Sequence, residues 1–277
     1  MRNKPKVLVL RTAGTNCDVE TAYAFETVGA VPESVHINQL IAGKKHIRDY
    51  AILALSGGFS YGDDIAAGKI LANEMRFRLK DEIQKFLREG KLIIGICNGF
   101  QILVKSGLLP GNEALRQEVS LIINDSGKFE DRWVYLRNSR THELTNPRTS
   151  GRGNIGKCVW TKDIPEVIYL PVAHGEGKFV AADEKIVERL RKNGQIVFQY
   201  CDAKGEFSGY PVNPNGSADH IAGICDETGR ILGLMPHPER YREVFQHPRW
   251  TRMKTRPAEG DGLQIFRNGV EYMKNIL

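Results

Sequence analysis

The sequence uses cysteine sparingly, and the placement of its five residues excludes more than it suggests. Cys17, Cys97, Cys158, Cys201 and Cys225 are odd in number and widely spaced, and no two form a CxxC pair. A disulfide framework is therefore not indicated, no metal site is expected, and a reducing cytoplasm fits the pattern. Long apolar runs are missing too, since none approaches the roughly 20 residues of a membrane span. The basic start MRNKPK leads into a strand-like run too short for a signal peptide, with no small-residue cleavage site after it, so no leader is expected. A GxxxxGK[ST] phosphate loop is absent as well, which leaves nucleotide-phosphate binding without support. The net charge of +6 is moderate. Basic residues crowd Arg240 to Arg256, yet no aromatic-interleaved basic strip or nucleic-acid motif goes with them. That segment reads as a solvated face or a surface for an acidic protein partner.

What is present is ordinary globular composition, 41% hydrophobic and 26% charged, over 277 residues that can close a sizeable core. Short β-branched runs alternate with helical patterns. Lys6 to Leu10, Glu33 to Ile37, Tyr50 to Leu55 and Leu92 to Ile96 read as strands. Asp18 makes a good N-cap for a helix over Val19 to Val28, and one long amphipathic helix is expected over Ala67 to Arg88, closed by Gly90. This alternation predicts an α/β fold with a doubly wound, mostly parallel sheet flanked by helices. Residues 112–165 read as a β insertion, in which Val119 to Asn124 and Trp133 to Asn138 add antiparallel strands to that sheet. A strand opening at Val167, a helix over Asp183 to Lys192 and a strand over Gln195 to Cys201 follow. Ile221 to Cys225 and Ile231 to Met235 form a hairpin turning on Asp226-Glu227-Thr228-Gly229. Residues 240–277 are a tail with a final amphipathic helix over Gly262 to Ile276, and the whole of 1–277 reads as a single domain.

The chemistry gathers around KLIIGICNGFQILVK, Lys91 to Lys105. A buried strand ends at Ile96, and Cys97 stands between Gly95 and Gly99 at the start of a helical pattern. Small neighbours let a strained strand-to-helix turn push one side chain into open space, as in a nucleophile elbow. A cysteine at a helix N-terminus also meets a field that favours its ionised, reactive form. Taken alone, Gly-x-Cys-x-Gly fits a buried structural cysteine equally well. The loop SGGFSYGDD after Leu55 contains Gly57 and Gly58, whose backbone N–H groups could face a developing oxyanion. Further on, Pro236-His237-Pro238-Glu239 ends a strand, and the two prolines stiffen the turn. His237 and Glu239, two apart in extended chain, can share a side, which suits a histidine oriented by a carboxylate. Cys97, His237, Glu239 and the N–H groups of Asn98 and the Gly57–Gly58 loop are together the parts that acyl transfer by cysteine needs. Cys17 also precedes a helix but lacks the glycine-flanked elbow, so it reads as a pocket or packing residue.

GICNGFQ, SGGFSYGDD, LPVAHGEGKF and GLMPHPE resemble class I, triad-type glutamine amidotransferases, and in detail the glutaminase subunits of phosphoribosylformylglycinamidine synthase. The resemblance implies a flavodoxin-like fold and a Cys97–His237–Glu239 triad. Cys97 would attack the side-chain amide of glutamine to form a thioester. His237 would protonate the leaving ammonia and then activate water, with Glu239 orienting it. Gly57, Gly58, Phe59 and Asn98 would form the oxyanion hole and glutamine site, with Gln101, His174, Gly175 and Glu176 near the pocket. No cofactor is implied in this chain. ATP and Mg²⁺ are expected on a partner, the synthetase subunit PurL, which would take the ammonia to convert formylglycinamide ribonucleotide to the amidine. A small bridging subunit, PurS, is a further expected partner. Against the compact form of this subunit, the chain is longer in 112–165 and after Glu239, and Ser56 stands where a proline often precedes the two glycines. Two other readings use the same residues: a related hydrolase acting alone on peptides or γ-glutamyl chains, and a non-catalytic scaffold keeping the fold. The intact Cys97, His237 and Glu239 count against the scaffold.

Overall fold

A computed structural model describes residues 4–111, 115–139 and 157–276. Its centre is a nine-stranded sheet built from β1 (Lys6–Arg11), β2 (Val31–His36), β3 (Ile52–Leu55), β4 (Leu92–Ile96), β6 (Glu130–Asn138), β7 (Val167–His174), β9 (Ile196–Cys201), β10 (Ile221–Cys225) and β11 (Ile231–Leu234), in the order β2-β1-β3-β4-β11-β10-β9-β6-β7. The first five strands in that order run parallel, and the last four pairings are antiparallel. Strands β3, β4 and β11 are buried at every residue, which is why their sequences are unbroken apolar runs rather than alternations. The edge strand β2, by contrast, carries Glu33 and Ser34 and is buried only at Val35. Helices α1 (Asp18–Thr27), α3 (Lys69–Arg78), α4 (Lys80–Arg88), α5 (Asn98–Lys105), α6 (Glu184–Lys192) and α7 (Leu263–Ile276), with the short α2 (Ile37–Ile41), complete the described fold. Among the described residues no helix is long and apolar enough to cross a membrane.

Several sequence expectations are corrected. The single helix over Ala67 to Arg88 is two, because Leu79 leaves helical geometry (φ −118°, ψ 7°) with its side chain buried. Asp18 is the first residue of α1 and not its cap; Cys17 holds the cap position without a side-chain cap bond, while Asp18 pairs with Arg11 at 3.6 Å. Of the two strands expected in 112–165, β6 does join the main sheet. The other, β5 (Val119–Ile122), pairs instead with β8 (Lys178–Ala181) in a separate two-stranded ribbon. Residues 112–114 and 140–156 of that stretch lie outside the described residues.

Parallel pairing fixes where the loops of interest leave the sheet. Ile96 in β4 is in register with Leu234 in β11, and Gly95 with Leu55 in β3. The turns after Leu55, Ile96 and Leu234 therefore leave one carboxyl edge side by side, the edge at which such sheets hold ligands. The loop after β1 joins them, tied to the glycine loop by a bridge between Thr15 and Gly58.

Candidate active site

Cys97 sits at φ 52°, ψ −107°, a conformation that costs a non-glycine residue of order 1–3 kcal/mol and persists only when its surroundings enforce it. They do so from both ends. Its N–H donates to Leu234 O at 2.8 Å, and its carbonyl accepts from Gln101 N at 3.1 Å in the first turn of α5. Gly99 allows the turn to lie this close to the sheet, since a Cβ there would come within 2.0 Å of Leu55 O. Asn98 is the first residue of α5, so its N–H is among those a helix N-terminus leaves without an intrahelical partner.

Three residues beyond β11, His237 donates its backbone N–H to Pro171 O at 2.8 Å, which anchors the proline-flanked turn against β7. Its ring Nδ1 lies 2.5 Å from Glu239 Oε1, with both side chains wholly buried. Burial opposes a charge on His237, but the Glu239 carboxylate, Cys97 and Cys17 more than offset it and hold its pKa well above the usual imidazole value. His237 Nε2 and Glu239 Oε2 are buried without a formed hydrogen bond of their own, so the thiols near the ring stabilise its charge without an aligned bond to Nε2. Glu239 thus fixes Nδ1 as the carboxylate-facing nitrogen and leaves Nε2 for proton traffic.

Around this pair runs a polar lining. Asn98 Nδ2 donates to Gln101 Oε1 at 2.9 Å, and Gln101 Nε2 donates to Glu176 O at 2.6 Å, so α5 is tied to the loop after β7. His174, the last residue of β7, has Nδ1 3.1 Å from Asn124 Oδ1, which also accepts from Gly177 N. Burial and the neighbouring His237 push His174 down to about 3, so it stays neutral and is poorly suited to act as the base.

A cysteine on a strained elbow, a buried histidine–carboxylate pair and a helix N-terminus at one sheet edge are the parts that thiol-based acyl transfer needs. Comparison with known proteins places the whole chain in a family. A family model described as the CobB/CobQ-like glutamine amidotransferase domain matches residues 4–273. A phosphoribosylformylglycinamidine synthase subunit PurQ from Dehalococcoides mccartyi is 48% identical, covering 99% of this chain and all of that one. The chain belongs to the PurQ subunits of the CobB/CobQ-like glutamine amidotransferases. A PurQ subunit from Methanococcus maripaludis is 45% identical over 97% of both chains. The solved structure of PurLQS from Thermotoga maritima matches with TM-score 0.70 and 32% identity, covering 98% of this chain and 99% of that one.

Within this amidotransferase the residues singled out by sequence fall into place unequally. Gly57 lies directly against His237 and Cys97: a Cβ on it would lie 2.8 Å from His237 Cε1 and 3.5 Å from Cys97 Cβ. Gly58 is held on the Thr15 bridge, while Phe59 is half exposed, with its ring 6.5 Å from that of Phe129. Gly175 lies beside Phe129, and Glu176 turns its carboxylate toward Lys105 Nζ at 3.9 Å. Sequence reasoning passed over Asp63, Lys105 and Asn124, which hold this lining together. Asp63 Oδ1 accepts from Gly68 N at 3.0 Å and Asn98 Nδ2 at 3.2 Å, and burial raises its pKa. The paired aspartates Asp63 and Asp64 that end SGGFSYGDD were the available signal for Asp63. Asn124 had none, being 50 residues from His174 in sequence. Cys17, read as a pocket or packing residue, is buried beside His237, and Arg240, read as part of a solvated basic face, donates from Nη2 to Cys17 Sγ at 3.1 Å.

Proposed function

We propose that this chain hydrolyses glutamine to glutamate and ammonia and passes the ammonia to a PurL-type synthetase, which uses it to convert formylglycinamide ribonucleotide to formylglycinamidine ribonucleotide in purine biosynthesis. The observation that carries the reading is Cys97 at φ 52° on an elbow whose neighbouring turn holds His237 2.5 Å from a buried Glu239. PurQ relatives of full length and the Thermotoga maritima PurLQS structure support the pathway, the synthetase partner and a PurS-type bridging subunit.

In the proposed mechanism Cys97 Sγ attacks the amide carbon, and the backbone N–H groups of Asn98 and the Gly57–Gly58 loop receive the oxyanion. His237 gives its proton to the leaving nitrogen as C–N breaks, ammonia departs and the γ-glutamyl thioester remains. Neutral His237 then takes a proton from water, hydroxyl adds to the thioester, and glutamate leaves with Cys97 regenerated. Glu239 orients the ring throughout. Gln101, His174, Gly175 and Glu176 form the pocket wall, with Phe59 at its mouth. The ATP- and Mg²⁺-dependent step belongs to the synthetase, so the glutaminase step needs no cofactor in this chain. A cytoplasmic location suits the five cysteines, all free and buried.

The test is glutamate release by the purified chain, alone and with a PurL-type synthetase, its ribonucleotide and ATP. Release that rises with the partner and vanishes in Cys97→Ala supports the reading. No release under any condition overturns it, and partner-independent cleavage of γ-glutamyl chains would favour the lone hydrolase.

A further inference from the structure

Asn98 brings more to the proposed centre than the N–H at the start of α5. Its buried side-chain amide bonds to three other residues of the site, and each bond has a fixed direction. Oδ1 accepts from Ser60 N at 3.3 Å, while Nδ2 donates to Asp63 Oδ1 at 3.2 Å and to Gln101 Oε1 at 2.9 Å. The roles are set at both ends of this chain of bonds. The Ser60 N–H can only donate, and the Glu176 carbonyl, which takes Gln101 Nε2, can only accept.

Ser60 and Asp63 lie on the loop that carries Gly57 and Gly58. Tyr61 (φ 55°), Gly62 (φ 69°) and Asp63 (φ 55°) follow one another there in the left-handed region. For tyrosine and aspartate that conformation is strained and lasts only where neighbours enforce it. On one side the loop after β1 does so, with Phe59 N donating to Gly14 O at 2.9 Å and Tyr61 N to Ala13 O at 2.8 Å. Toward the elbow, among the described residues, the loop's hydrogen bonds to α5 both run through the Asn98 side chain, at Ser60 and at Asp63. Asp63 Oδ1 also accepts from Gly68 N at 3.0 Å, which braces the far end of the clamp.

The backbone donors assigned to the oxyanion stand on opposite sides of this clamp, one on α5 and the others on the glycine loop. Such donors work only at a set separation, and a misplacement of about 1 Å can cost about 10²-fold in rate. We propose that the Asn98 side-chain amide is a positioning group for the glutaminase step: it ties the glycine loop to the elbow and so sets the separation of the two sets of oxyanion donors. The effect on rate rests on the glutaminase reading, whereas the clamp does not, so the two are read separately.

The experiment compares wild type, Asn98→Ala, Asp63→Ala and the double variant. Glutamate release is measured with the PurL-type synthetase, its ribonucleotide and ATP present, and amide hydrogen exchange is measured on each full chain alone. In Asn98→Ala kcat should fall by about 10²-fold with KM for glutamine within about threefold of wild type. Asp63→Ala should lower kcat by about tenfold, and the double variant should be no more than about threefold below Asn98→Ala, because both residues act through one chain of bonds. Exchange in a peptide covering residues 57–64 should quicken by at least about tenfold in Asn98→Ala, with β1 and β3 as in wild type. Unchanged exchange in that peptide overturns the clamp; should Asn98→Ala not fold, Asp63→Ala, which lies outside α5, decides the same point. A raised KM with kcat unchanged would make Asn98 part of the pocket wall, and multiplying losses in the double variant would make the two residues independent; either overturns the positioning role. If wild type itself releases no glutamate, the glutaminase reading fails, and exchange alone judges the clamp.

Discussion

In the proposed mechanism Glu239 acts only through His237, and the 2.5 Å contact between their buried side chains sets what its removal does. Glu239→Gln keeps the shape and loses the charge. We expect kcat to fall by about 10²-fold or more with KM little changed, short of the complete loss in Cys97→Ala. Because the carboxylate raises the His237 pKa, the variant's pH profile should also show that pKa moved down. Equal loss in both variants, with no displacement of the profile, would give Glu239 a role beyond orientation. His174 carries a second prediction with the opposite sign. Its folded pKa is about 3 against an ordinary 6.5, so the native state refuses a proton that the unfolded chain accepts. Stability from this residue is complete above pH 6.5 and is lost as pH falls toward 3, at up to about 1.4 kcal/mol per pH unit. His237, whose pKa is raised, contributes in the other direction and loses nothing on acidification from 6.5. Denaturant midpoints of wild type and His174→Gln at pH 7.5 and pH 5 check this: the wild type should lose more on acidification. The strained turn at Cys97 and the contact of His237 with Glu239 were legible because their cues are local, an elbow of small residues and a histidine between prolines. The placement of Cys17 beside His237 was not, since it depends on which loops the sheet order brings together.

At the level of elements, the elbow depends on α5 lying flat against β3 and β4. Every residue of α5 is buried, so the helix cannot tilt outward to make room. Gly99→Ala adds a methyl group where 2.0 Å separates it from Leu55 O, and backbone cannot yield as a side-chain tip would. We expect a cost of about 1–3 kcal/mol, read as a lower urea midpoint, together with lost glutamate release, because Cys97 moves with the first turn of α5. Wild-type activity in a folded Gly99→Ala would show that the elbow tolerates a shift. The strands were readable because both-face burial demands apolar runs, and α6 and α7 because they have polar faces. The break at Leu79 was not, as no proline or glycine marks it. Nor was the partner of β5, whose residues Val119 to Ile122 pair with Lys178 to Ala181 rather than with the main sheet. A four-residue strand states its conformation in its sequence but not its neighbour.

For the whole molecule, the sequence showed an α/β sheet and the motifs at its edge, while the order β2-β1-β3-β4-β11-β10-β9-β6-β7 needed the structure. That order matters to assembly. The proposed triad and the lining from Asn98 to Glu176 draw on loops from β3, β4, β7 and β11 of this one chain. The synthase chemistry, by contrast, is assigned to a separate PurL-type chain. A complex built with Cys97→Ala should therefore lose glutamine-dependent product formation, yet keep the activity of the unmodified complex when ammonium salt is supplied. His237→Ala should behave alike, since it too serves only the release of ammonia. The measurement is amidine formation with each nitrogen source, after size-exclusion chromatography has shown that the variant complex assembles. Loss of ammonia-dependent activity in an assembled Cys97→Ala complex would mean that the thiol serves the second reaction as well, and the two centres would then have to be described as one.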